Sequence, residues 1–243
     1  MQWIRSLVFF AGMLVTAIVY TPLALAAWPL PPVARSRFIG CWARMIIAWL
    51  RLTCGLSHRV AGLDNLPDEP CVILSKHQSA WETIAYQKIF PAQAWVLKRE
   101  LLWIPFFGWG LAATRPIAID RSAGIRALDE VVKQGMDRLA DGRYVVVFPE
   151  GTRMAPGQRG RYNPGGAMLA KKADVPVVPV AHNSGSFWSR RGFLKKPGTI
   201  EVRVGLPISV ADRRPKQVNA EAEAWIEAQM VELEPGLHES NRG

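Results

Sequence analysis

Cys71-Val72-Ile73-Leu74-Ser75-Lys76-His77-Gln78-Ser79-Ala80-Trp81-Glu82 reads as a short strand that stops at a polar turn and hands over to a helix. Cys71 to Leu74 has the length and apolarity of a buried strand. Ser79 is a good helix N-cap, and Glu82 then takes the third helical position, completing a capping box. His77 therefore falls on the loop at a strand's end, where open α/β sheets build their sites. A carboxylate five residues on can fix an imidazole's tautomer and stabilise its cation, which makes His77 a candidate general base and Glu82 its partner. The bland reading, a capped helix beside a surface histidine, fits the same residues.

A second junction of this kind weakens the bland reading. Tyr144-Val145-Val146-Val147-Phe148 is a buried-strand pattern followed at once by Pro149-Glu150-Gly151-Thr152-Arg153. Arginine suits bidentate recognition of a phosphate or carboxylate. Gly151 permits positive φ or close backbone approach, and Thr152 offers a hydroxyl. Glu150 is read as a brace for the turn or for an arginine. Two further strands end in charge: Ala94 to Leu97 runs into Lys98-Arg99-Glu100, and Pro116 to Ile119 into Asp120-Arg121.

Working outward, helices alternate with these strands, which predicts an α/β fold. Ser79 to Phe90 is one helix. Ile125, Leu128, Val131, Val132 and Leu139 mark another, ended by Gly142. Asn163-Pro164 reads as the cap and first residue of a helix running through Ala173. Val175 to Val180 carries two prolines, which predicts an edge strand or an irregular one next to a site. Thr199 to Val204 is a further strand. An acidic helix from Ala220 to Leu233, with Trp225 and Val231 on its apolar side, closes the chain. Between Ala181 and Thr199 lies a basic loop. Leu101 to Leu111 is aromatic, uncharged and too broken by Pro105, Gly108 and Gly110 for a regular helix; a buried loop, an acyl-chain lining and a lipid-dipping segment are all open.

The 243 residues, 49% of them hydrophobic, suffice for one globular domain with an appendage. A formal charge of +10 calls for anionic partners: nucleic acid, an acidic membrane face or a phosphorylated substrate. No helix-turn-helix, zinc-finger or RNA-binding signature is present, so nucleic acid is not expected. Cys41, Cys54 and Cys71 are odd in number and read as reduced thiols. The four histidines are scattered and share no ligand spacing, so no metal site is expected.

The appendage is N-terminal. Ser6 to Ala34 carries no charge, and Leu7 to Ala27 is long enough to cross a bilayer core. Pro22 and the Pro29, Pro31, Pro32 cluster are able to break it, which leaves shallow insertion open. A cleaved signal peptide is the weaker reading, since the basic flank is only Arg5 and the apolar run is long. Arg35, Arg37, Arg44 and Arg51 place the C-terminal side in the cytoplasm. Phe38, Ile39, Trp42, Met45, Ile46, Trp49 and Leu50 form a helical stripe that suits either the lipid interface or the domain core. Residues 1–55 are thus read as a membrane-anchoring segment and 56–243 as the catalytic domain.

Four blocks, taken in order over roughly Leu63 to Val210, resemble the glycerolipid acyltransferases. His77 to Glu82 resembles the family's H-x4-D block, Ile117-Ala118-Ile119-Asp120-Arg121 its second and Phe148-Pro149-Glu150-Gly151-Thr152-Arg153 its third. Val175 to Val180 resembles the proline-bearing fourth. Glu82 stands where the family usually has aspartate, and Lys76 where asparagine is frequent. The resemblance implies a mixed, mostly parallel sheet flanked by helices, on a bacterial inner membrane with the catalytic domain facing the cytoplasm. It implies transfer of an acyl group to the sn-2 hydroxyl of lysophosphatidic acid, giving phosphatidic acid. Arg121 and Arg153, with Lys98 as a third cation, would hold the acceptor phosphate. His77 and Glu82 would form the dyad, with Glu150, Gly151 and Thr152 as the site turn. No cofactor is implied; acyl-CoA or acyl-carrier protein is the cosubstrate, and anionic membrane lipids are partners. Acylation of another lyso-lipid is the nearest alternative. An esterase or thioesterase is weaker, because no G-x-S-x-G elbow is present.

Overall fold

The computed structural model describes residues 1–120 and 123–237. Helices α1 (Gln2–Ala26) and α2 (Pro32–Cys54) come first, joined through the proline-bearing turn. The helix α1 runs on through Pro22 instead of breaking there. Contacts from Tyr20 to Phe38, Trp42 to Thr16 and Cys54 to the Arg5 carbonyl make the pair an antiparallel hairpin.

Seven strands follow: β1 (Leu56–Ala61), β2 (Val72–Ser75), β3 (Gln93–Lys98), β4 (Ile117–Ile119), β5 (Tyr144–Val147), β6 (Val177–His182) and β7 (Gly198–Val204). They form one sheet in the order β1-β7-β6-β2-β5-β3-β4, parallel at every pairing except β6 with β7. The α/β expectation holds. The strand β1 was not expected; it carries Ser57, His58 and Arg59 at an edge and lacks an apolar run.

The connecting helices are α3 (Trp81–Ile89), α4 (Phe107–Ala113), α5 (Ile125–Ala140), α6 (Gly165–Ala173), the short α7 (Ser184–Phe187) and α8 (Pro215–Leu233). Period-two alternation splits the strands between two cores. Ile73, Val146, Val178 and Val202 pack under α1, α2 and α3 through Phe9, Ile46, Leu50 and Trp81. Val72, Leu74, Val145, Val147 and Val177 pack under α5, α6 and α8 through Val131, Leu169, Ile226 and Met230. Helix α6 lies so close to the sheet that a Cβ on Gly166 would sit 2.5 Å from Leu74.

Three expectations need correction. Strand β6 is interior, between β7 and β2, not an edge. Its prolines are tolerated because Pro176 precedes the strand and Pro179 faces the end of the β7 ladder, where its carbonyl still accepts from Gly205 N–H. On α8, Val231 is exposed; the buried face is Val218, Ala222, Ile226 and Met230, at true helical spacing, and Trp225 packs at its margin. Leu101 to Leu111 is not a buried loop. It forms a 3-10 turn at Arg99–Trp103 and then α4, with Trp103, Phe106, Phe107 and Trp109 exposed.

Of the α2 stripe, Ile39, Ile46 and Leu50 are buried in the protein, while Phe38 and Met45 are exposed. The core therefore takes most of that stripe. Helix α1 turns a different face outward, exposing Trp3, Leu7, Phe10, Leu14, Ile18 and Leu23.

Candidate functional site

The sheet topology gathers the chemistry. Because β2 pairs in parallel with both β5 and β6, with Leu74 level with Val147 and Pro179, their C-terminal ends emerge side by side. The turn after β2 carries His77, the turn after β5 carries Glu150 to Arg153, and β6 ends at His182 beside Ser184. Next along, β3 ends at Lys98.

His77 Nδ1 lies 2.8 Å from Glu82 Oε1. The same oxygen accepts from the N–H groups of Gln78 at 2.9 Å and Ser79 at 2.7 Å. Oε2 accepts from Ser184 Oγ at 3.0 Å. Only half of the expected capping box forms: Glu82 accepts from Ser79 N–H, but Ser79 Oγ accepts from Trp81 N–H at 3.1 Å and not from Glu82 N–H, because the helix begins at Trp81 with Ala80 as its N-cap and Glu82 in its second position. The extra methylene of glutamate is accommodated because the capping N–H groups fix the carboxylate against the imidazole.

Glu82 is fully buried. Burial alone would raise its pKa, but His182, His77 and the Ser79 N–H outweigh it and hold the carboxyl at about 2. It is a fixed anion at neutral pH. An ionised acceptor beside Nδ1 places the ring proton on Nδ1, which leaves Nε2 as the free base. His77 stacks on Phe148 with ring centroids 4.1 Å apart, and its backbone N–H donates to Glu150 Oε2 at 3.0 Å. Glu150 therefore braces the histidine loop, not an arginine. Burial raises its pKa, and Lys76 beside it offsets part of that rise. Gly151 has φ +66°, the left-handed turn that its residue type anticipates.

His77 borders a cavity of about 290 Å³. Lys98 and Arg153 also line it. Its apolar walls come from α1, α2 and α4, including Tyr20, Trp42 and Leu111. Arg153 is half-buried and makes no hydrogen bond or ion pair with the described residues; burial lowers its pKa, and Glu82 pulls it back up. Lys98 pairs with Glu100 at 3.2 Å. Thr152 is exposed. Arg121 lies outside the described residues. Among the described residues, no group of three or more His, Cys, Asp or Glu is placed to hold a metal ion.

Sequence reasoning missed Ser184, which completes the bonding of Glu82. It also missed His182, fully buried, with Nε2 2.9 Å from the Lys76 carbonyl oxygen. Both lie in the stretch between Ala181 and Thr199 that the sequence presents only as a basic loop. A polar pair directly after a buried strand, as at β2 and β5, was the available signal.

A family profile described as Acyltransferase matches residues 57–183. A 1-acyl-sn-glycerol-3-phosphate acyltransferase of Pseudomonas aeruginosa is 44% identical over 239 residues, covering 96% of this chain and 93% of the relative. A protein of that same description from Saccharomyces cerevisiae is 30% identical over 78% of this chain and 64% of its own length. The crystal structure of the 1-acyl-sn-glycerophosphate (LPA) acyltransferase from Thermotoga maritima has this fold, with TM-score 0.80 over 96% of both chains at 21% identity.

Proposed function

The chain belongs to the acyltransferase family, and from that membership we infer that it transfers a fatty acyl group from an acyl thioester to the sn-2 hydroxyl of 1-acyl-sn-glycerol 3-phosphate. The product is phosphatidic acid, and the enzyme serves phospholipid biosynthesis. The observation that carries the mechanism is the His77–Glu82 contact at 2.8 Å on the wall of the cavity.

His77 is the general base. Its Nε2 takes the proton of the sn-2 hydroxyl as that oxygen attacks the thioester carbonyl. The tetrahedral intermediate collapses, the carbon–sulfur bond breaks, and His77 returns its proton to the departing thiolate. Glu82 holds the ring and stabilises the imidazolium between those two transfers. No side-chain nucleophile is required. Arg153 and Lys98, with Arg121, hold the acceptor phosphate, and Glu150, Gly151 and Thr152 form the supporting turn. The apolar cavity suits an acyl chain.

Residues 1–55 act as the membrane anchor and 56–243 as the acyltransferase domain, on the cytoplasmic face of a bacterial inner membrane rich in anionic lipids. At 1.5 Å per residue α1 is about 37 Å long. Near its start, Gln2 donates to the Lys195 carbonyl and Ser6 accepts from Lys195 N–H. Near its end, Thr21 donates to the Phe106 carbonyl at 3.0 Å. A helix held to the domain at both ends lies along it, so its apolar outer face enters one leaflet sideways. The cavity wall formed by α1 and α4 then opens toward lipid. The donor is acyl-CoA or acyl-carrier protein, both anionic and matched to the basic surface.

The test is acyl transfer from long-chain acyl-CoA to lysophosphatidic acid in membranes carrying wild type or His77→Ala. Phosphatidic acid from the wild type alone is expected. Equal product from His77→Ala would remove the base assignment, and product only with a different lyso-lipid would reassign the acceptor.

A further inference from the structure

Lys76, directly before the first block, is the milder of the chain's two departures from the family pattern, and its side chain is buried rather than free to meet substrate. An ammonium has three donors. Lys76 uses them on Glu150 Oε1 at 2.8 Å, Glu227 Oε1 at 2.9 Å and the Gln158 carbonyl at 2.9 Å. On the other side of His77, Gln78 donates to Glu234 Oε1 at 3.1 Å. Glu227 lies on α8 and Glu234 caps its C-terminus, seven residues later. Seven residues is about two helical turns, so both carboxylates face the same way. Glu227 also accepts from Tyr162 OH at 2.8 Å, and Glu234 from Gly157 N–H at 2.9 Å and Ser186 Oγ at 3.2 Å.

We propose that α8 is a clamp for the catalytic loop, with Glu227 and Glu234 as positioning residues that set His77 by holding the residues on either side of it. The proposal rests on His77 being the base. A loop cannot aim its own imidazole; neighbours tied to a rigid helix can, and a fully paired buried charge fixes one geometry where an apolar contact allows several. General-base transfer is sensitive to such aim, because small misplacement of reacting groups costs rate more than binding. Glu227 and Glu234 lie far from the phosphate cations in sequence and bond the loop, so their loss should fall on kcat.

The experiment measures kcat, acceptor KM and thermal midpoint for Glu227→Gln and Glu234→Gln in vesicles. Glu232→Gln, which removes a surface ion pair to Arg203 from the same helix, is the control. Each clamp variant should lose about ten- to a hundredfold in kcat with acceptor KM within about twofold, and the control should match wild type. Unchanged kcat in the clamp variants, a rise in KM in place of the kcat loss, or an equal loss in the control would overturn the clamp. If a Glu→Gln variant fails to fold, Tyr162→Phe, which removes one bond to Glu227, should lower kcat several-fold; unchanged kcat there overturns the proposal as well. An active His77→Ala enzyme removes the base reading and the clamp together, whereas an inactive one beside an unaffected Glu227→Gln removes the clamp alone.

Discussion

Glu82→Gln separates the charge of the dyad from its shape. With its carbonyl oxygen in the place of Oε1, glutamine keeps the acceptor for His77 Nδ1, Gln78 N–H and Ser79 N–H. Its amide can donate to Ser184 Oγ, the neighbour of Oε2. Only the negative charge is lost. Opposite charges about 4 Å apart interact by about 4 kcal/mol at an effective dielectric near 20. That interaction exists only once His77 has become imidazolium, so its loss raises the barrier and leaves substrate binding alone. At about 1.4 kcal/mol per tenfold, kcat should fall about a thousandfold. The assay is steady-state transfer from acyl-CoA to lysophosphatidic acid at neutral pH, with folded enzyme quantified by circular dichroism. A fall in kcat below tenfold would refute the claim that the Glu82 charge stabilises the imidazolium.

The Glu82 carboxyl sits at about 2 against an ordinary 4.5, so its stabilisation is complete above pH 4.5 and is lost as pH falls toward 2. The full gap corresponds to roughly 3 kcal/mol; because the folded-state carboxylate is still mostly ionised at pH 3, urea titrations at pH 6 and pH 3 should show wild type losing about 2 kcal/mol more than Glu82→Gln, and parallel losses would refute it. Arg153→Ala should lower kcat/KM for the phosphate-bearing acceptor by about ten- to a hundredfold, the scale of a lost charge-assisted contact. An equal loss with a phosphate-free monoacylglycerol would disprove phosphate binding. Gly110 lines the cavity with its Cβ site 3.3 Å from Thr21 Oγ1. Gly110→Leu should therefore shift acyl preference several-fold toward shorter chains, and a chain-length profile unchanged for both donor and acceptor would show that the cavity holds neither chain. Leu14 and Ile18 are exposed on α1; Leu14→Glu with Ile18→Glu should reduce vesicle co-sedimentation severalfold without lowering the thermal midpoint, and undiminished binding would place the membrane face elsewhere.

Local interactions made the catalytic loop readable in advance. A strand, a serine just before a helix and a carboxylate three residues on are near neighbours, and the N–H bonds that hold Glu82 form within four residues. The strand-to-turn junctions and the apolar N-terminal run were legible for the same reason: each is a statement about adjacent side chains. Glycine at position 151 announced its positive φ, because only that residue type adopts it freely.

Tertiary structure decided what adjacent residues could not. Whether β6 is an edge or an interior strand depends on which strands flank it, and proline spacing carries no record of the antiparallel β7 beside it. Ser184 meets Glu82 across 102 positions, and Glu227 meets Lys76 across 151. Lys76 looked like a mild departure in a motif, yet burial among two carboxylates and a carbonyl makes it a fixed ion that orders the loop. The α2 stripe and the outer face of α1 are equally apolar in composition; only packing tells which one the core takes and which is left for lipid. Sequence by itself determined most of the elements and the reactive groups, since these follow from local propensity and residue chemistry; β1 and α4 escaped it because neither carries a regular apolar period. The convergence of the reactive groups, the cavity beside His77 and the clamp on the histidine loop come from tertiary packing, in which parallel strand order sets distant chain ends side by side.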